Sequence, residues 1–306
     1  MKSLGALGCD TRAVRRGRPL TQRTRNALQN DAVARAVRAT VPTPVRVRVG
    51  SALGVDKPQE IDLSRLDLIR RRDPDWLADP ENLEHDLLPA LGFSADVPDA
   101  FPADLHDAVG VGLKHWQHPN QFARYLAHLA RYPIRSYLEL GVRHGGTFVI
   151  TVEYLSRFHP IESATAVDID DVPALHEYLA ERPGVRFLKI DTSSPRFARA
   201  VRDGGPYDLV LIDADHSYEA CRNDVGLMRD HANILALHDI VDAACPGVRE
   251  VWRELRAETV RERDFFEFTT QYDEIVERNG SPALGLGIAV RKGFGGVGAL
   301  GIEPRP

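Results

Sequence analysis

From Ser136 onward the chain alternates short apolar runs with amphipathic stretches. The runs SYLELG, ATAVDI, VRFLKID, YDLVLID and NILALHD are apolar almost throughout, and helical stretches separate them. Strands of that kind with intervening helices predict a parallel sheet covered on both faces. A helix, GVREVWRELR, follows, and then two closely spaced strands, FFEFTTQY and LGLGIAVRK. With no long helix between them, they predict an antiparallel hairpin at one margin. The expected fold class is α/β: a doubly wound, mostly parallel seven-stranded sheet over residues 136–292 with an antiparallel edge strand. A mostly helical N-terminal extension precedes it.

Upstream the pattern is weaker. Residues 61–135 read as an acidic, helical extension or lid interrupted by Pro80, Pro89, Pro98 and Pro102. Its last part, GLKHWQHPNQFARYLAHLARYP, reads as one helix with Phe122, Tyr125, Leu126 and Leu129 on a single face. His115, Trp116 and His118 are expected to pack at an interface, with a lid over a ligand as the alternative. In residues 1–60 the one helical candidate runs from Thr21 to Ala39. The tail over residues 293–306 is Gly-rich and expected to be mobile.

Composition changes this picture little. The chain has 306 residues, 43% hydrophobic and 27% charged, which is ordinary for a soluble globular protein. No run of about 18 apolar residues is present, and Met1–Cys9 is too short for a signal peptide. Cys9, Cys221 and Cys245 suggest neither a disulfide framework nor a metal knuckle, so a cytoplasmic location is expected, and Cys221 and Cys245 are read as inert. Charge is uneven. In residues 1–50 eleven Lys or Arg stand against Asp10 and Asp31, a net +9, so with −5 overall the rest of the chain carries −14. The basic arm is expected to be a solvated or poorly ordered leader. Nucleic acid is not expected as a partner, and a homo-oligomer is compatible with the sequence.

Candidate chemistry gathers at the strand ends, where open parallel sheets bind ligands. The first strand runs into Glu139-Leu-Gly141-Val-Arg143-His-Gly145-Gly146. The G-x-G-x-x-G of dinucleotide sites is missing. An acid ahead of the turn would repel a pyrophosphate and could pair with a cationic amino-acid moiety. The second strand ends in Asp168, placed to accept from ribose hydroxyls, and the third in Asp191. Helix caps are the plainer reading of the acids and serines nearby, with Asp170 and Ser193 or Ser194 as the candidates. The fourth strand runs into Asp213-Ala-Asp215-His216, and the fifth ends His238-Asp239. Carboxylates there suit magnesium or manganese, a histidine shifts preference toward softer ions, and a histidine near neutrality can take a hydroxyl proton. Hydrogen bonding of His238 to Asp213 or Asp215 is the alternative to ligation.

These residues carry a resemblance. The E-x-G-x-x-x-G turn resembles motif I of class I S-adenosylmethionine-dependent methyltransferases. ELGVRHGGT, IDADHSYE and HDI followed by PGVREVW resemble the group that includes macrolide-sugar O-methyltransferases and cephalosporin-hydroxylase-like relatives, over roughly Leu113 to Arg291. The resemblance implies a Rossmann-like core and S-adenosylmethionine held by Glu139, Gly141, Arg143, Gly145, Gly146, Asp168, Asp191 and Asp213, with Asp191 at the adenine edge. It implies a divalent metal on Asp213, His238 and Asp239, with His216 as general base. His238 stands where well-understood members carry an acid. The reaction implied is methyl transfer to a hydroxyl of a sugar, polysaccharide or glycosylated natural product. Two other readings are a nicotinamide-dependent oxidoreductase and a non-catalytic cofactor-binding partner protein.

Overall fold

The computed structural model of the chain describes residues 58–295 with the exception of Val97. The Thr21–Ala39 helix expected in the basic arm, and most of the glycine-rich tail, lie outside the described residues.

The extension is built from short turns that its own sequence starts and stops. Asp62, Asp73 and Asp79 each accept a backbone N–H two residues on, and Pro74 and Pro80 open the turns that follow the last two. Leu66, Ile69, Leu77, Leu83, Leu87, Leu88 and Leu91 are all buried in one cluster with the first two helices of the sheet region. The expected long helix over Gly112–Pro133 is shorter. Helix α1 spans Pro119–Leu129, because Pro119 sets its first turn and His118 before it is extended. Phe122, Tyr125, Leu126 and Leu129 are buried, as their common face predicts.

Strands and helices then alternate: β1 (Ser136–Leu140), α2 (Gly146–Leu155), β2 (Ser163–Asp168), α3 (Pro173–Glu181), β3 (Val185–Lys189), α4 (Pro195–Gly204), β4 (Tyr207–Ile212), α5 (Tyr218–Met228), β5 (Ala232–Leu237), α6 (Pro246–Thr259), β6 (Arg263–Phe268), α7 (Asp273–Asn279) and β7 (Leu286–Arg291). The sheet order is β3-β2-β1-β4-β5-β7-β6. The first five strands pair in parallel, and β7 is antiparallel to both neighbours. The antiparallel strand therefore lies one place in from the margin, and β6 takes the margin itself. Ser194 caps α4 as expected, but α3 starts after Val172, not Asp170, since Pro173 fixes the first helical turn.

Alternation along the strands splits the core in two. Tyr137, Leu209, Leu211, Ile234, Ala236 and Ile288 face α1, α2 and the extension. Leu138, Leu140, Val210, Ile212, Leu235 and Leu237 face α4, α5 and α6, where Trp252 is buried as read from its helix face. Glu153 on α2 ties the extension to the sheet region, accepting from Arg70 Nη2 at 3.1 Å, Tyr178 OH at 2.8 Å and Arg182 Nε at 2.8 Å. Burial would raise its carboxyl, but the bonds from the two arginines win and hold it below the ordinary value. Among the described residues no helix is long and apolar enough to cross a membrane.

Candidate active site

Parallel pairing carries past the strand ends and locks the tips together. Gly141 N donates to Val167 O at 2.9 Å, Asp213 N to Leu140 O at 2.8 Å, and His238 N to Ile212 O at 3.2 Å. Three loops are thereby held side by side at one rim. Gly141 adopts φ +84°, and a Cβ there would lie 2.1 Å from Asp213 O. Its first requirement is thus the close pass of the β4 backbone, not the approach of a ligand.

The turn after β1 is held from two sides. Asp168 Oδ2 accepts Val142 N at 3.1 Å and Arg143 N at 2.9 Å, and its Oδ1 accepts Asp170 N at 2.9 Å. Asp96, from the extension, accepts Arg143 Nη2 at 2.9 Å and His144 Nε2 at 3.0 Å. Gln59 N donates to His144 Nδ1 at 3.0 Å, so the ring carries its proton on Nε2 and donates it to Asp96. Arg143 is left-handed at φ +52°, a conformation this clamp keeps in place. Burial acts to raise the Asp96 carboxyl, and the His144 bond with the Arg143 charge overcomes it and holds it at about 2. Gly145 and Gly146 are buried at the start of α2.

The other expected contacts spread along the rim. Glu139 sits below the tip of β1, buried and accepting from Tyr137 OH. Burial pushes its carboxyl up to about 8, against the pull of that bond, so it is protonated at neutral pH. Asp191 is exposed at the end of β3 and accepts Ser193 N at 2.8 Å. An open cavity of about 400 Å³ lies beside it, lined by Thr192, Ser193, Ser194 and Asn223 among others.

Acids and histidines meet where β4 and β5 end. Asp213 Oδ1 lies 3.2 Å from both His216 Nε2 and His238 Nδ1. Asp239 Oδ2 lies 3.4 Å from His216 Nε2, and its Oδ1 lies 3.2 Å from His238 Nδ1. His216 and Asp213 keep 19% and 21% of their side chains exposed, whereas His238 and Asp239 keep 5% each, so the cluster opens on the His216 side. Asp239 is held at φ +61°. Burial would strip both histidines of charge, but the facing carboxylates raise them well above the ordinary value. Burial likewise opposes ionisation of the acids, and His238 above all holds both below the usual carboxylate range. Asp213, His238 and Asp239 present one donor atom each within 4.8 Å of one another, a spacing that can hold a metal ion.

Two participants escaped the sequence. Cys245, read as inert, places Sγ 3.4 Å from His216 Nδ1 and 3.4 Å from Asp239 Oδ2. Its position at the cap of α6, just after the fifth strand, was the available signal. Asp96 was one acid in an acidic extension, and nothing local marked it. His115 and His118 pack against Phe93 and Phe101, and burial lowers each to about 4 despite a backbone bond.

Residues 138–240 match the family model described as a methyltransferase domain. No protein of curated function matches the chain. Solved structures with a similar fold include the MycE methyltransferase of the mycinamycin biosynthetic pathway, at 18% identity over 61% of this chain, with a TM-score of 0.40. The chain spans about half of that protein's length, 52%. An O-methyltransferase from Bacillus cereus matches at 12% identity over 76% of this chain and 92% of its own, TM-score 0.44. A putative O-methyltransferase from Klebsiella pneumoniae matches at 15% identity over 56% and 79%, TM-score 0.42. The matched span, a third of the chain running from β1 to just beyond β5, is therefore similar to a methyltransferase domain.

Proposed function

We propose that the chain is an S-adenosylmethionine-dependent O-methyltransferase, assisted by a divalent cation. Its acceptor is a hydroxyl of a sugar, polysaccharide or glycosylated natural product. The observation that carries this reading is the cluster of Asp213, His216, His238 and Asp239 beside the glycine turn of β1.

The residues fit the two groups the reading needs. Asp168 has three backbone donors on its carboxylate, which leaves acceptor capacity for ribose hydroxyls. Asp239 Oδ1 is buried without a hydrogen-bond partner, the condition of an atom suited to ligation. S-adenosylmethionine bound along these tips supplies a methyl group on a sulfonium. A divalent ion held by Asp213, His238 and Asp239 would acidify a hydroxyl of the acceptor.

The chain's own work is positioning and proton transfer. Asp168 and Asp96 fix the turn that would seat the cofactor, and enforced proximity of donor and acceptor would account for much of the rate. His216 takes the hydroxyl proton. With Asp213 and Asp239 facing it unshared, the imidazole is held well above its ordinary value. A cation held by those carboxylates would offset their charge and lower the imidazole toward its ordinary value.

Calorimetry with S-adenosylmethionine and its demethylated product tests the cofactor, and no binding by folded protein refutes it. His216→Ala should then lower turnover about a hundredfold to ten-thousandfold with cofactor affinity nearly intact. Near-native turnover of that variant would move the base elsewhere.

A further inference from the structure

Asp239 turns its two oxygens to different partners. Oδ1 lies against His238, whereas Oδ2 lies against His216 Nε2 at 3.4 Å and Cys245 Sγ at 3.4 Å. Cys245 Sγ also lies 3.4 Å from His216 Nδ1. Two triads therefore sit back to back: Asp213–His238–Asp239, and His216–Asp239–Cys245, with Asp239 in common. In each, one donor atom per residue lies within 4.8 Å of the others.

The second triad differs in chemistry. It offers an imidazole, a carboxylate and a sulfur, a set that favours borderline ions such as zinc or cobalt over magnesium, which takes oxygen. A tetrahedral ion with bonds of about 2.0–2.3 Å separates its donors by roughly 3.3–3.8 Å. With Nδ1 as the donor of His216, the Nδ1–Sγ and Sγ–Oδ2 contacts, both 3.4 Å, fall within that range. Asp239 is 4% exposed, and its Oδ2 faces both His216 and Cys245. His216 supplies the side open to solvent.

We propose that His216, Asp239 and Cys245 form a second cation site, selective for a zinc-class ion, and that filling it silences the enzyme. As the Sγ–metal bond forms, the Cys245 S–H bond breaks and its proton passes to solvent. The imidazole lone pair that would take the acceptor's proton is committed to the ion. Nothing is oxidised or reduced. The silencing rests on the role of His216 proposed above; the binding does not.

Cobalt is the probe. The full chain in excess magnesium is titrated with Co²⁺ and followed by absorption. Expected are tetrahedral d–d bands and a thiolate-to-cobalt charge-transfer band, in the wild type and in His238→Ala, which removes only the first triad. Cys245→Ser should lose the charge-transfer band, and its zinc affinity by calorimetry should fall at least roughly tenfold. Should the Cys245 variants fail to fold, X-ray absorption of the unmodified zinc-loaded protein should show one sulfur on the ion. A wild type without the band, a zinc shell without sulfur, or a band that survives in Cys245→Ser overturns the site. A protein that shows the band but binds no S-adenosylmethionine would refute the methyltransferase reading and leave the site standing.

Discussion

Asp96→Asn isolates the clamp between the extension and the glycine turn. The substitution keeps the shape and leaves an oxygen for Arg143 and His144, but removes the charge that Arg143 meets at 2.9 Å. Asp96 is 8% exposed, so little solvent screening reduces the effect. Its carboxyl is held at about 2 in the folded chain, against an ordinary 3.8. That difference corresponds to about 2 kcal/mol of stability at neutral pH. Because the folded value is the lower one, the contribution is complete above the ordinary value and is lost as pH falls through the folded one. About half of it should remain at pH 3. Urea unfolding at pH 7 should therefore show the variant less stable by about 2 kcal/mol, or about 4–8 °C in midpoint. The gap should narrow between pH 4 and pH 3. Cofactor affinity should fall with it, since Arg143 and His144 belong to the turn. A gap that stays constant across that window, or one below about 0.5 kcal/mol at pH 7, would refute the charge argument.

Two further substitutions test how the tips and the extension are held. Gly141→Ala should cost about 3 kcal/mol or more, from the left-handed backbone and the collision with Asp213 O, and a native melting temperature would show that the β1 and β4 tips lie further apart. Glu153→Gln should cost roughly 2–3 kcal/mol in urea unfolding, at the low end because Arg70 and Arg182 keep 34% and 32% of their side chains exposed. An unchanged midpoint there would mean the extension is held by its apolar contacts alone.

The sheet was legible because the parallel strands are mostly apolar, β3 with Arg186 and Lys189 the least so, and the tips because Asp168, Asp191, Asp213 and His238 stand at or just beyond the strand ends. The place of β7 was also written in the pattern. Its residues are buried on both faces, whereas β6 is largely exposed, as a marginal strand is. Contacts across long separations had no local mark. Cys245 reaches His216 across 29 positions, Asp96 reaches Arg143 across 47, and Arg70 reaches Glu153 across 83. Helix α1 was overextended because Leu113–His118 carries the same residue types without the backbone to match. The deep burial of Glu139 beside Tyr137, which pushes its carboxyl up to about 8, had no local mark either.

The position of β7 also sets when the site can exist. Leu237 pairs with Gly287, Ile240 N donates to Gly285 O at 3.2 Å, and Val241 N donates to Leu284 O at 3.1 Å. The segment that carries His238 and Asp239 is therefore secured by residues made more than forty positions later. On the ribosome, the nascent chain would carry an open β5 edge and a loose rim until that last strand arrives, a non-local pairing of the slow kind.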